Sequence, residues 1–181
     1  MRWNSEKVLS LSALVISLAT LITLMYQSKI MREHEENSSF PKLELWNNNL
    51  DTKYQLELKN TGLGPGILED IKVAYKDSIY DLDPRGFARL YLDTVKFPYS
   101  LGTSTLGKGR IVQPGEKIWP LQILKDSSYK HPLIEIFGSG EANVIINYSS
   151  VYRQHWQIKG IGSIPVLLEE EPQVINEMLK P

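Results

Sequence analysis

Three glycines at every second position, in the run KNTGLGPG at residues 59 to 66, are the first residues whose type and spacing could do chemistry. Glycine-rich turns cradle phosphates when free backbone N–H groups converge at the start of a helix. Here Gly62, Gly64 and Gly66 are followed by EDIKVAYKD, where Ile71, Val73 and Tyr75 alternate with Lys72, Ala74 and Lys76, so a strand follows instead. Pro65 also removes one backbone donor, and no Lys-Ser or Lys-Thr pair comes after it. The run therefore reads as a tight crossing between two strands, with Gly62 or Gly64 supplying a positive φ.

A second constellation is NYSSVYRQHWQIKG, residues 147 to 160. With SVYRQ as a hairpin tip, Tyr152, Arg153 and His155 form a binding patch at one end of the domain, since aromatics and Arg anchor recognition. Against this, Tyr148, Trp156 and Ile158 have the parity of core-facing residues in two paired strands, and the core reading of the aromatics is the stronger. Catalysis has less to stand on. The chain has only three histidines and matches no nucleophile, zinc or phosphoryl-transfer signature. The carboxylates Glu69, Asp70, Asp81 and Asp83 lie near strand ends without a spacing that pairs an acid with a base. His34 sits among stalk glutamates with no further ligand at metal spacing. No enzyme, cofactor or metal site is expected. Cysteine is absent, which excludes disulfides and thiolate chemistry, and 20 basic against 21 acidic residues give no electrostatic reason for a nucleic-acid partner.

The elements that must carry these residues begin with VLSLSALVISLATLITLMY, residues 8 to 26, which holds no charge, Gly or Pro. At ~1.5 Å rise per residue it spans roughly 28 Å, the depth of a bilayer's hydrocarbon core. Trp3, Lys7, Tyr26 and Lys29 flank it as membrane-interface residues, their rings and ammonium groups suited to headgroups. A cleaved signal peptide is the competing reading, but the run exceeds a usual h-region and MYQSKIM offers no small-residue cleavage site. Two basic residues on each side leave the positive-inside rule tied, and the short leader leans toward an N-terminus in the cytoplasm. Ser10, Ala13, Ser17 and Thr20 form a stripe of small residues that could pair transmembrane helices; their hydroxyls could equally bond their own helix. Beyond Tyr26 the helix continues as a polar stalk, with Lys29 to Glu33 and Arg32 to Glu36 at i,i+4 spacing, until Ser38, Ser39 and Pro41 end it.

From Leu43 onward the period is two. Strands are expected at 42–47, 53–60, 69–77, 78–82, 117–124, 141–150 and 155–160. DPRGFARLYLDTV, residues 83 to 95, reads as a short helix capped by Asp83 or as a structured loop, and a turn of helix follows Pro132. QPGEK at 113 to 117 suits a type II turn. The expected fold is mainly β: a transmembrane helix, then a small antiparallel β-sandwich with one or two short helices. Its parts are a leader at 1–7, the span at 8–26, a stalk at 27–40, the β-domain at 41–166 and an acidic tail at 167–181.

YQSKIMRE after the anchor, LELKNTGLGPGILEDIKVAY, PGEKIWPL and INYSSVYRQHWQ together resemble uncharacterised bacterial single-pass membrane proteins with an N-x-G-x-G-P strand crossing. There is a looser similarity to immunoglobulin-like adhesion modules, with Gly66 standing where Ala is usual. The resemblance implies an immunoglobulin-like β-domain and supplies no mechanism. The expected role is a non-catalytic binding or scaffolding module of the bacterial envelope, in the inner membrane with its β-domain in the periplasm. The partners expected are the lipid bilayer, a second copy through the transmembrane helix and an unidentified protein. The alternative is a cytoplasm-facing sensor or effector whose β-domain controls helix oligomerisation.

Overall fold

The computed structural model describes residues 4–95, 101, 102, 104, 106–125 and 131–169. Trp3 and tail residues 170–181 lie outside that set. The chain divides into two compact units, one ending at Ser38 and the other beginning at Ser39.

The first unit is one helix, α1 (Ser5–Ser38), of 34 residues. At ~1.5 Å per residue it is about 51 Å long. It is long and apolar enough to cross a membrane. No residue of it is buried. Its polar continuation carries both expected pairs, Lys29 Nζ 3.9 Å from Glu33 and Arg32 Nε 3.1 Å from Glu36. Lys29, Glu33 and Arg32 are solvent-exposed and only Glu36 is half-buried, so the pairs contribute a few tenths of a kcal/mol each.

The second unit is built of antiparallel sheets. The first sheet contains β1 (Leu43–Asn49), β2 (Lys53–Asn60), β5 (Leu101–Gly102) and β7 (Lys117–Leu124), in the order β1-β2-β7-β5. The second runs β10 (Val166–Leu168), β9 (His155–Lys159), β8 (Ala142–Ser149), β3 (Gly66–Tyr75) and β4 (Ser78–Tyr80), with β6 (Ile111–Val112) also paired to β3. Alternation decides which residues face inward. Tyr54, Leu56 and Leu58 of β2 and Ile118, Leu121 and Ile123 of β7 join Val144, Ile146 and Tyr148 of β8 in one continuous core. β10 carries paired backbone to Leu168, past the boundary at 166 expected from sequence.

Two helices close the core. α2 (Pro84–Thr94) forms despite Gly86, because the Asp83 carboxylate accepts the Gly86 N–H at 2.7 Å and Pro84 occupies the first turn. Its Phe87 then meets Tyr75, Tyr80 and Phe137 at ring-centroid distances of 5.7, 5.2 and 6.1 Å. α3 (Pro132–Gly138) is capped by His131, whose Nδ1 accepts the Leu133 N–H at 3.3 Å. Burial holds His131 below its ordinary pKa, which keeps the ring neutral and able to accept. The turn before β7 is as expected: Glu116 N donates to Gln113 O at 3.0 Å and Gly115 has φ 78°.

Candidate functional site

The glycine crossing joins β2 in one sheet to β3 in the other, so the two strands are not paired with each other. Gly62, Gly64 and Gly66 are absent from the residues with positive φ, which corrects the expected reason for them. Close approach is the reason instead. A Cβ on Gly62 would run into the backbone of Phe40 and Lys42, and one on Gly64 into the carbonyl of Ser39. Gly66 opens β3 and no helix starts there, so the run offers no helix N-terminus to a phosphate.

Asn60, the last residue of β2, organises this crossing. It is fully buried, and its amide uses all four of its hydrogen-bonding positions. Oδ1 accepts from Lys42 N at 3.3 Å and Gly62 N at 3.0 Å; Nδ2 donates to Gly64 O at 2.8 Å and Val112 O at 2.9 Å. Next to it the buried Tyr148 hydroxyl donates to Pro41 O at 3.3 Å and accepts from Leu43 N at 3.4 Å. Burial pushes the Tyr148 phenol well above its ordinary pKa. These bonds fasten the chain's entry into β1 across both sheets.

Residues 150–154 do form a hairpin tip between β8 and β9. Ser150 is buried, its Oγ accepting the Tyr152 and Gln154 N–H groups at 3.2 Å each, and Arg153 takes φ 61° to complete the turn. Tyr152 and Arg153 are exposed at this tip. His155 is drawn elsewhere: its Nδ1 lies 2.9 Å from Glu69 Oε1 and 3.0 Å from Oε2. Glu69 reaches it because the β3–β8 register shifts between Leu68 and Asp70, a bulge that re-aims the side chain. The structure thus keeps Tyr152 and Arg153 together and commits His155 to an ion-pair geometry on the sheet. A carboxylate holding an imidazole is half of a general-base arrangement, yet no hydroxyl is hydrogen-bonded to the far ring nitrogen among the described residues. Tyr148 and Ile158 are buried as their parity required, and Trp156 is half-buried against Phe40 at 4.5 Å.

On α1, Lys7, Tyr26 and Lys29 are exposed. Within the small-residue stripe, Ser10 Oγ and Thr20 Oγ1 each donate to the carbonyl four residues earlier, Glu6 O and Ile16 O, at 2.8 Å. No group of three or more His, Asp or Glu side chains could hold a metal among the described residues.

A shallow cleft of about 210 Å³ lies beside the edge of β1 that no strand among the described residues pairs with, between Glu44 and Trp46 and the loop from Gly162 to Pro165. The loop is tied down by Gly162 N donating to Leu45 O at 2.8 Å. Glu44 receives Lys42 Nζ at 2.7 Å and the Trp46 Nε1–H at 3.4 Å, and the lysine bond chiefly holds its carboxyl below the ordinary range. Trp46 and Trp119 are surface residues here, 50% and 40% exposed. Sequence reasoning did not single them out, although the signal exists: each has the parity of its charged neighbour, Glu44 or Lys117, and not of the leucine or isoleucine between. Neither a protein-family model, nor a curated protein, nor a solved structure matches this chain.

Proposed function

We propose that this chain is a membrane-anchored, non-catalytic binding or scaffolding module of a bacterial envelope, with an immunoglobulin-like β-sandwich held to the inner membrane by a single uncleaved helix. The observation that carries the reading is the direct succession of a span-length apolar helix, ending at Ser38, and a folded β unit beginning at Ser39. The sandwich reading is supported by strand order. The spatial order β1-β2-β7-β5 in one sheet and β9-β8-β3 in the other corresponds to the ABED and GFC arrangement of immunoglobulin-type domains. The glycine crossing then takes the place of the connection that passes from one sheet to the other. The resemblance to bacterial single-pass membrane proteins agrees with this arrangement, and the exposed Tyr152 and Arg153 offer anchor-type side chains for a protein partner.

Topology tests the reading. A pair of reporters fused after Pro181, one active only in the periplasm and one only in the cytoplasm, is expected to report the periplasm. A signal from the cytoplasmic reporter alone removes the envelope reading and favours a cytoplasmic effector. Crosslinking of the intact anchored protein in cells then identifies what the module holds.

A further inference from the structure

The solvent-facing side of the first sheet combines features that the core does not require. Trp46 on β1 pairs directly with Glu57 on β2. On the other side of β2, Glu57 lies where the β2–β7 register shifts, and Lys117 Nζ reaches it at 3.3 Å. Lys117 therefore shares the outward face with Glu57, and so does Trp119, two residues along β7. The two indoles flank Glu57, to which Asn48, two residues along β1 from Trp46, also donates through Nδ2 at 3.1 Å. With strands about 4.8 Å apart, two strand spacings separate the tryptophans by roughly 10 Å. That is too far for both to stack on one ring and suits two separate rings of one extended chain. The Trp46 indole is also fixed, through its N–H on Glu44, at the mouth of the 210 Å³ cleft.

Charge decides the class of ligand. Glu44 is paired with Lys42 and Glu57 with Lys117, and Lys59, opposite Glu44 and Lys117 in the two registers, adds a positive charge to the same face, so no net negative field draws a cation. A protein partner would have to bury the Glu57–Lys117 pair at the centre of its interface, where cores of protein interfaces are depleted of charge and desolvating an ion pair is costly. A sugar polymer has no such conflict. Its rings present apolar C–H faces to an indole, and its hydroxyls donate to a carboxylate and exchange hydrogen bonds with an amide while water stays in the interface.

We propose that this face is a binding platform for an extended oligosaccharide, with Trp46 and Trp119 as stacking surfaces, Glu57 as the hydrogen-bonding group between them and Asn48 as a second one beside Trp46. The inference names a ligand class for the binding module proposed above and rests on that reading.

The test uses the full-length protein in lipid nanodiscs, with tetrasaccharides of β-1,4-linked glucose and of β-1,4-linked N-acetylglucosamine as probes, followed by tryptophan fluorescence and calorimetry. Saturable binding of at least one probe is expected, with Trp46→Ala and Trp119→Ala each weakening it about tenfold and Trp46→Tyr, which keeps a flat ring, by no more than about threefold. Trp46→Leu guards against misfolding: it keeps an apolar side chain without a stacking face and is expected to lose as much as Ala. No saturable binding of either probe, or binding that both alanine variants leave intact, overturns the inference. If neither sugar binds but an in-cell crosslinked protein is lost on Trp46→Ala, the sugar platform is overturned and the binding module stands. Absence of both sugar binding and crosslinked partners removes the module reading as well.

Discussion

The glycine crossing at 61–65 and the hairpin tip at 150–154 lie at the same end of the β unit, since Ile67 beside the first pairs with Ser149 beside the second. Each is organised by a buried polar side chain, Asn60 in one and Ser150 in the other. They use glycine in opposite ways. The crossing has two glycines, Gly62 and Gly64, neither with positive φ, and both are needed because its backbone is pressed against residues 39–42. The tip has no glycine, although Arg153 takes φ 61°. Glycine is thus placed where space is short, while the conformation that usually favours it is left to an arginine in the open. Packing from the rest of the chain, and not local turn geometry, sets the requirement.

This contrast predicts a steep gradient of mutational effects. The largest belongs to Gly64→Ala, whose new methyl group meets the Ser39 carbonyl. Chemical denaturation of the full chain is expected to show a loss of about 3 kcal/mol or more, and a loss below about 1 kcal/mol would break the close-approach account. Asn60→Ala follows, at about 2–3 kcal/mol by the same measurement, because it leaves buried groups such as Gly64 O and Val112 O without donors.

Next comes a pair of phenols. Tyr148→Phe removes two hydrogen bonds at the entry to β1 and should cost about 1 kcal/mol at neutral pH. Tyr54 is as deeply buried, yet its hydroxyl has no hydrogen bond of good geometry among the described residues, and burial, tempered slightly by Asn47, pushes it up to about 12. Tyr54→Phe should therefore leave neutral-pH stability nearly unchanged. Both phenols are raised in the fold, so the unfolded chain releases its protons first: their contribution is intact below about pH 10 and is lost as pH climbs toward the folded value. Denaturation midpoints across pH 9 to 12 should fall less steeply in either phenylalanine variant. An unchanged slope in both would show that neither group titrates on unfolding.

The smallest effect sharpens the contrast. Arg153→Gly relieves a left-handed residue at an open tip and should change stability by no more than about 1 kcal/mol, in the stabilising direction. A clear loss, read in the same denaturation experiment, would mean that the arginine side chain holds the turn.

Much of the architecture was legible in residue order. Tyr54, Leu56 and Leu58 alternate with polar residues on one long strand, and β2 and β7 occupy the expected positions. The cap at Asp83 and the turn at Gly115 were legible too, since each depends on neighbours three residues away. β5 and β6, of two residues each, carry no periodicity and exist only as partners of β7 and β3. The recognition residues were legible in part. Tyr152 and Arg153 stand at a hairpin tip as expected, whereas the attachment of His155 to Glu69 joins side chains 86 positions apart through a bulge that no local pattern announces.

By itself, then, the sequence determined an apolar helix of membrane-spanning length, a period-two body and the turns between, because hydrophobic repeat, capping and turn chemistry act over a few residues. The tertiary structure decided what the glycines are for, which polar residues become buried hubs, and which aromatics remain outside. Those outcomes depend on which distant backbone arrives beside a residue. Ser39 against Gly64, Val112 against Asn60, and Lys117 drawing Glu57 between two tryptophans are contacts fixed only when the sheets close.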